Sequence, residues 1–403
     1  MLSWDKTPVL SPMRCTRAWV DINLTALEHN VRSLKSLLPS GCDLMSVVKA
    51  DAYGHGAVTV AQTALRSGAT WLGVATVPEG IELRQAGINA PILVMGAVNE
   101  PAEMLAIAQW ALQPTIVNPK QALIFSETLA SYSSEQNDNI SIPIHLKLDT
   151  GMSRLGFRWQ KATELARFVQ QLPHLETTSL YSHLATADSP DPTIMQLQHD
   201  RFEKAIAALK SENLLPQRLH LANTAAALST DDRLYYDMVR VGLGTYGLYP
   251  SPHLDSAIVL KPVLEVKARI THLKKLKPGD GVSYGHKFIA KQDMTIAIVG
   301  IGYADGVPRV LSNQLDVVVQ KQLVHQIGAI TMDQLMLDVS HLTSVQEGDI
   351  VTLLGQSGEH FLSVDQWASL AGTISWEILC GFKHRLPRIL SSGVNVDANT
   401  LNI

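Results

Sequence analysis

Residues 44–56 read Leu-Met-Ser-Val-Val-Lys49-Ala-Asp-Ala-Tyr53-Gly-His-Gly56, a short apolar, β-rich run that stops on a lysine. Met45, Val47 and Val48 have the character of a buried parallel strand, and Tyr53, Gly54 and Gly56 that of a turn into a helix starting near Ala57. The ammonium of Lys49 is therefore expected at the C-terminal end of a strand. In α/β barrels that end carries the chemistry, and a lysine in apolar surroundings gives up its charge readily and attacks aldehydes. Taken alone, the segment is better read as a lysine snorkelling from a strand end.

The pattern on either side of this stretch repeats it. Over residues 25–245, β-rich runs at 44–48, 71–75, 92–95, 113–117, 142–148, 179–183, 218–221 and 238–242 alternate with helical periodicity at 57–67, 101–110, 159–171 and 194–210. Eight parallel strands in roughly 220 residues is the size of a (β/α)8 barrel, with an open doubly wound sheet as the alternative. After Pro250 the pattern changes to β-rich runs at 257–270, 294–301, 315–319 and 350–354, separated by turn clusters such as Lys277-Pro-Gly-Asp280 and Glu347-Gly-Asp349. The expectation is an α/β barrel over 18–250, followed by a C-terminal, mostly antiparallel β domain over 251–403 that also takes in part of residues 1–17. The polar stretch 131–139 is expected to be a surface loop.

Composition excludes several classes of function. With 403 residues, 46% hydrophobic and 17% charged, and a net charge of −4, the chain has the make-up of an ordinary globular protein and no basic block suited to nucleic acid. No run of about 18 apolar residues is present to span a bilayer, and residues 1–17 lack a cleavable apolar leader, so a cytoplasmic protein with no membrane partner is expected. Cys15, Cys42 and Cys380 are too few and too scattered for a disulfide framework or a metal site. Small-molecule substrates fit this profile best.

Polar residues recur at the predicted strand ends. Lys49 and Tyr53 follow the first strand, Lys147, Asp149 and Arg154 the fifth, and His183 ends the sixth; Asn223 and Thr224 follow the seventh, and Arg240 and Gly242 end the eighth. The loop Arg240-Val-Gly242-Leu243-Gly244-Thr245 suits an anion, because loops after the last barrel strands offer backbone N–H groups, although tight packing accounts for its glycines equally well. A strand-end lysine beside an anion cradle is what pyridoxal phosphate requires: an amine for its aldehyde, donors for its phosphate and a partner for its ring nitrogen.

At this point the chain resembles a known family. The segments Val47-Val-Lys49-Ala-Asp-Ala-Tyr53-Gly-His-Gly56, Lys147-Leu-Asp-Thr-Gly-Met-Ser-Arg154-Leu-Gly156, Ser182-His183-Leu-Ala-Thr-Ala-Asp188, Arg240-Val-Gly242 through Tyr246-Gly247, and Gly302-Tyr303-Ala-Asp305-Gly306 are similar, in order, to the signatures of the alanine racemases. The resemblance implies a (β/α)8 barrel with a β-rich second domain, pyridoxal 5'-phosphate as cofactor, and interconversion of L- and D-alanine, which supplies D-alanine for peptidoglycan. It implies that Lys49 holds the cofactor covalently and works one face of the substrate Cα, while Tyr303 works the other. Two groups are needed because a single base returns the proton mostly to the side it left. A tyrosine titrates near 10 in water and needs help at neutral pH; His183 and Arg240 match the residues that give it, and Arg240 also matches the partner of the pyridine nitrogen. Tyr53, Thr224, Gly242 and Leu243 match phosphate-binding positions. Arg154 matches a residue that touches both cofactor and substrate carboxylate, Met332 one whose backbone meets that carboxylate, and Lys147 a lysine often found carbamylated, for which pairing with Asp149 is the alternative. The resemblance further implies a homodimer in which Tyr303 and Met332 serve the partner's site.

Three positions depart from the family pattern. His384 stands before Arg385-Leu-Pro-Arg388 where a tyrosine usually reaches the phosphate, and histidine can still donate there. Thr224 replaces the usual serine, and Thr331 a frequent cysteine. Tyr284 is expected to line the pocket at most, Asp333 to be a supporting or entry-channel residue, and His55, His199, His220, His272 and His286 to lie at surface or structural positions. A decarboxylase on a related barrel and a pyridoxal phosphate carrier are the competing functions; the carrier does not account for a second domain bearing Tyr303.

Overall fold

A computed structural model describes residues 17–136 and 140–391, and these divide into two compact units, 24–263 and 17–23 with 264–391. The unit 24–263 is built on eight parallel strands: β1 (Asp43–Val47), β2 (Trp71–Val74), β3 (Ile92–Ala97), β4 (Gln113–Ile116), β5 (Ile142–Asp149), β6 (Leu175–Tyr181), β7 (Arg218–His220) and β8 (Met238–Val241). Their order in the sheet is β8-β1-β2-β3-β4-β5-β6-β7. Backbone bonds from Asp237 N–H to Leu219 O (3.0 Å) and from Arg240 N–H to Ala222 O (3.1 Å) join its two ends, so the sheet closes as a barrel. All eight predicted strands are present. The strands read as continuous apolar runs because both faces are covered, and Met45, Trp71, Leu93, Tyr181 and Met238 pack against one another as a core cluster.

Helices carry the chain from strand to strand. Leu24–Ser36, Ala57–Arg66, Val77–Gln85, Pro101–Gln109, Pro119–Gln136, Ala162–Gln170 and Thr193–Ser211 are the longer ones. The loop expected at 131–139 is corrected over 131–136, where Pro119–Gln136 stays helical; residues 137–139 lie outside the described residues. Its serines are compatible with the helix because their hydroxyls bond back along it, Ser131 Oγ to Glu127 O and Ser134 Oγ to Ser131 O.

The second unit is a nine-stranded sheet in the order His360–Leu362, Ile350–Ser357, Asp316–Val319, Gln322–Ile327, Leu335–Asp338, Met294–Val299, Leu264–Leu276, Ala18–Asn23, Arg388–Ser391. Every neighbouring pair is antiparallel except Ala18–Asn23 with Arg388–Ser391. Ile350–Ser357 also pairs with Leu264–Leu276, which curls the middle of the sheet back on itself. Two expectations are corrected here. The strand at Ala18–Asn23 lies in this sheet and not at the start of the barrel, fixed by the register Ala18 to Ala268 through Ile22 to Leu264 and by the Lys267 ammonium between Asp21 (2.7 Å) and Glu265 (2.8 Å). The run expected from 257 becomes a strand only at Leu264; Pro262 has no N–H for a ladder bond. Residues 1–16 and 392–403, which the expected second domain included, lie outside the described residues.

Candidate active site

Lys49 follows β1 directly, and the four residues after it take an unusual course. Ala50, Asp51, Ala52 and Tyr53 have φ of 54°, 52°, 52° and 54°, one turn of left-handed helix built without a single glycine. Each such residue costs roughly 1–2 kcal/mol in an L-chain, so the turn must be held from outside. Two carboxylates hold it. Glu79 accepts from Ala50 N–H at 2.8 Å through one oxygen, and from the N–H groups of Ala75 (2.7 Å) and Thr76 (3.1 Å) through the other; Asp51 accepts from Ala57 N–H at 2.8 Å. The turn delivers Tyr53 beside the loop after β8. There the ring of Tyr53 lies 4.9 Å from that of Tyr246, whose hydroxyl is anchored on Val47 O at 2.8 Å.

The loop after β8 forms a cradle around Gly242. A Cβ on Gly242 would come within 2.8 Å of the Tyr53 hydroxyl oxygen, so only glycine lets that hydroxyl sit over the backbone. Thr224 Oγ1 accepts from Gly242 N–H at 3.0 Å and from Gly244 N–H at 3.4 Å. With both lone pairs engaged, what the Thr224 hydroxyl has left to offer is its proton. The Gly242 amide, a phosphate donor by the family resemblance, donates here to Thr224. Two hydroxyl donors over a glycine backbone, with Leu243 opening a 3-10 turn, fit the phosphate of a cofactor.

Arg240, on β8, is 3% exposed and almost fully engaged. Its Nη2 donates to Ser182 O (2.7 Å), Leu221 O (3.0 Å) and His183 Nδ1 (3.3 Å), and its Nη1 to His220 Nδ1 (2.9 Å). Burial lowers its pKa to about 10, which leaves it a cation at neutral pH. A guanidinium cannot accept, so both histidines must accept through Nδ1 and are neutral. Burial, aided by Arg240, holds both well below the usual histidine range. The consequence runs through the barrel. His220 Nε2–H must donate to Ser179 Oγ (3.0 Å), the Ser179 hydroxyl to His145 Nδ1, and His145 Nε2–H to Gln113 Oε1 (2.8 Å). His145, pushed down to about 3 chiefly by burial, is neutral as this requires. The face of Tyr181 stacks on His220 at 4.6 Å, with the Arg240 guanidinium 5.2 Å from its centroid.

Lys147, 5% exposed on β5, lies 5.2 Å above the same Tyr181 ring. Burial first, then Arg240, Arg154 and Lys49, lower its pKa to about 8, with Asp149 only partly opposing. Among the described residues no ion pair joins Lys147 to Asp149; Asp149 instead accepts from Gly151 N–H (2.9 Å) and Ser153 N–H (3.0 Å), shaping the loop that carries Arg154. Lys147, Arg154 and His183 line one narrow hollow, and Arg154 also borders an open cavity of about 780 Å³ with Asp149, Arg158 and Lys161.

Other predicted residues belong to the second unit. Tyr303 is 41% exposed and opens a 3-10 turn; its N–H donates to Thr331 O (2.9 Å) and that of Ala304 to Met332 O (3.0 Å), which sets Tyr303 beside Met332, 52% exposed. Buried Asp305 fixes this turn, accepting from Gly302 N–H (3.0 Å) and from Arg17 Nη2 (2.6 Å). Asp333 pairs with Arg385 at 2.6 Å. His384 lies exposed in the turn before Arg385, and Tyr284 is exposed. Sequence reasoning missed Glu79, His145, Ser179 and Gln113. The Thr76-x-x-Glu79 capping box was a usable signal for the first; nothing local marks the other three as one chain.

Known proteins resemble the chain along most of its length. Residues 22–250 match the profile of the alanine racemase N-terminal domain, and residues 263–390 that of the C-terminal domain. The chain is 63% identical over 373 residues to an alanine racemase of Nostoc sp., covering 93% of this chain and 95% of that one, and 57% identical to the alanine racemase of Synechocystis sp., covering 93% and 99%. Among solved structures it is similar to alanine racemase from Bacillus anthracis with bound L-Ala-P (TM-score 0.86, 34% identity, 93% and 95% covered). It is also similar to a histidine racemase from Leuconostoc mesenteroides (TM-score 0.86, 28% identity, 95% and 99% covered).

Proposed function

The chain belongs to the alanine racemase family of amino-acid racemases, and on that premise we propose that it interconverts L- and D-alanine by a two-base reaction with pyridoxal 5'-phosphate, supplying D-alanine for peptidoglycan. The observation that carries the proposal is the convergence in one barrel of Lys49, the Tyr53–Thr224 cradle over Gly242, and a buried Arg240 locked as a cation. When bound, the cofactor supplies an electron sink for the carbanion that forms at Cα.

This chain's residues do the rest. Lys49 would hold the cofactor through its aldehyde and would exchange a proton on one face of Cα; Tyr303 would exchange one on the other. Tyr53, Thr224 and the Leu243 amide hold the phosphate, with His384 as a further donor. Arg240 would be the partner of the ring nitrogen and, being unable to surrender a proton at neutral pH, would limit how far the ring withdraws electrons. Arg154 and the Met332 backbone orient the substrate carboxylate. Lys147, with its lowered pKa, has enough neutral amine near pH 8 for its nitrogen to add to carbon dioxide and release one proton to solvent, and the resulting carbamate anion would sit among Arg154, Arg240 and Lys49. Tyr303 and Met332 serve the partner's site in a cytoplasmic homodimer.

The test is incubation of the purified protein with single enantiomers of alanine in deuterated water, following chirality and Cα exchange. Alanine racemisation with deuterium at Cα supports the reading; carbon dioxide release points to a decarboxylase. A Lys49 adduct without turnover points to a carrier. Histidine enantiomers belong in the same assay, given the histidine racemase of the same fold. Faster turnover of histidine than of alanine would overturn the substrate assignment.

A further inference from the structure

We propose that Glu79 is a positioning residue for Lys49 and Tyr53, and that its carboxylate holds the left-handed turn 50–53 in the conformation that lets Lys49 meet the cofactor aldehyde. The inference rests on the reading of Lys49 as the cofactor's anchor and adds to it a residue outside the site.

The geometry is specific. Glu79 is the third residue of the helix Val77–Gln85, reached immediately after β2, while Lys49 follows the neighbouring β1. One Glu79 oxygen accepts from the residue after Lys49, Ala50 N–H; the other accepts from Ala75 and Thr76 at the end of β2. The side chain therefore ties two adjacent strand ends together and spends both oxygens as acceptors. An ordinary N-terminal capping box needs only a bond back to the cap residue, here Thr76 N–H. The bonds to Ala50 and Ala75 go beyond capping. Ala50 is the first of the four positive-φ residues, so Glu79 grips the turn where it leaves the strand, and Asp51 grips it from inside through Ala57 N–H. Lys49 stands at one end of this turn and Tyr53, which leans over Gly242, at the other. Letting the turn relax toward right-handed backbone would displace both together.

Glutamine at 79 keeps size and shape but has one acceptor oxygen, so its amide must face either Ala50 N–H or the pair Ala75 and Thr76 with another donor. The experiment uses the full-length protein, stripped of cofactor with hydroxylamine and titrated with pyridoxal phosphate. Loading, the condensation of the Lys49 amine with the aldehyde and loss of one water, is followed by absorbance; borohydride then reduces the C=N bond and peptide mapping locates the pyridoxyl group. In Glu79→Gln, loading is expected to slow at least tenfold and cofactor affinity to fall. Adding Ala50→Gly, which tolerates positive φ without help, is expected to recover much of the loading rate. A residue that merely stabilised the helix would not be rescued this way, and Thr76→Ala, which weakens the cap but leaves Glu79 its three backbone donors, is expected to lower Tm without slowing loading. Unchanged loading in Glu79→Gln, or slowing that Ala50→Gly does not relieve, overturns the proposal. If Glu79→Gln does not fold, Glu79→Asp, whose carboxylate is one methylene too short to reach Ala50 N–H and the Ala75–Thr76 pair together, is loaded in its place, and wild-type loading in that variant overturns the proposal equally. A wild-type protein with no pyridoxyl group on Lys49 instead overturns the reading of the anchor itself.

Discussion

A lysine that is 5% exposed and surrounded by Arg240, Arg154 and Lys49 is a liability to the fold as well as a reactive amine. Its pKa falls from 10.5 to about 8, so folding penalises the cation. Below pH 8 Lys147 is protonated in folded and unfolded chains alike and the penalty, on the order of 3 kcal/mol, is fully present. Between pH 8 and 10.5 the folded chain gives up the proton first, the unfolded chain binds more protons, and wild-type stability rises. Urea unfolding in carbon-dioxide-free buffer should therefore find Lys147→Met more stable than wild type at pH 7, with the gap closing by pH 10.5. A pH-independent gap would contradict the burial argument. At Gly242 the limit is steric, since its φ of −111° is open to any residue. Gly242→Ala places a methyl 2.8 Å from the Tyr53 hydroxyl oxygen and should weaken cofactor binding about tenfold or more with little loss of Tm, as read by titration of the stripped protein.

Elements explain why some of this was legible in the sequence and some was not. The eight barrel strands were, because buried parallel strands are apolar on both faces and Gly and Pro punctuate them. Lys49, Tyr53, Thr224 and Arg240 were, because polar residues at strand ends interrupt that pattern. The strand Ala18–Asn23 was misplaced because its apolar alternation says that it pairs, not with which sheet; its partners are some 250 residues away at 264–268 and some 370 away at 388–391. The chain Arg240–His220–Ser179–His145–Gln113 was invisible for the same reason. It links β8, β7, β6, β5 and β4 by one polar residue each, and each residue alone looks like a stray in a core strand. Because its direction is set by Arg240, removing the middle link strands a donor on His220 and an acceptor on His145. Ser179→Ala should cost about 1–3 kcal/mol in urea unfolding. The same variant should leave Lys49 loading within about twofold, since no cofactor-facing group is lost; a larger effect on loading than on stability would mean the chain tunes Arg240 itself.

For the whole molecule, the decisive feature is that the two proposed bases lie in different units. Lys49 belongs to the barrel, whereas Tyr303 and Met332 stand exposed on the β unit, held there by Asp305 and by backbone bonds to 331–332. A tyrosine that exchanges a proton with a carbanion needs a site closed to bulk water. An exposure of 41% in the single chain is therefore what a residue completed by a second copy would show. If each site takes Lys49 from one chain and Tyr303 from the other, two inactive variants must complement. Lys49→Met and Tyr303→Phe chains, each impaired by itself, are unfolded together and refolded in equal amounts. Half of the dimers are then mixed, and each mixed dimer has one site with both bases and one with neither. Racemase activity should return to about a quarter of the wild-type value per chain. Analytical ultracentrifugation of the same sample checks that the species is a dimer. If both bases came from a single chain, mixing would restore nothing, because every site would still lack one of them.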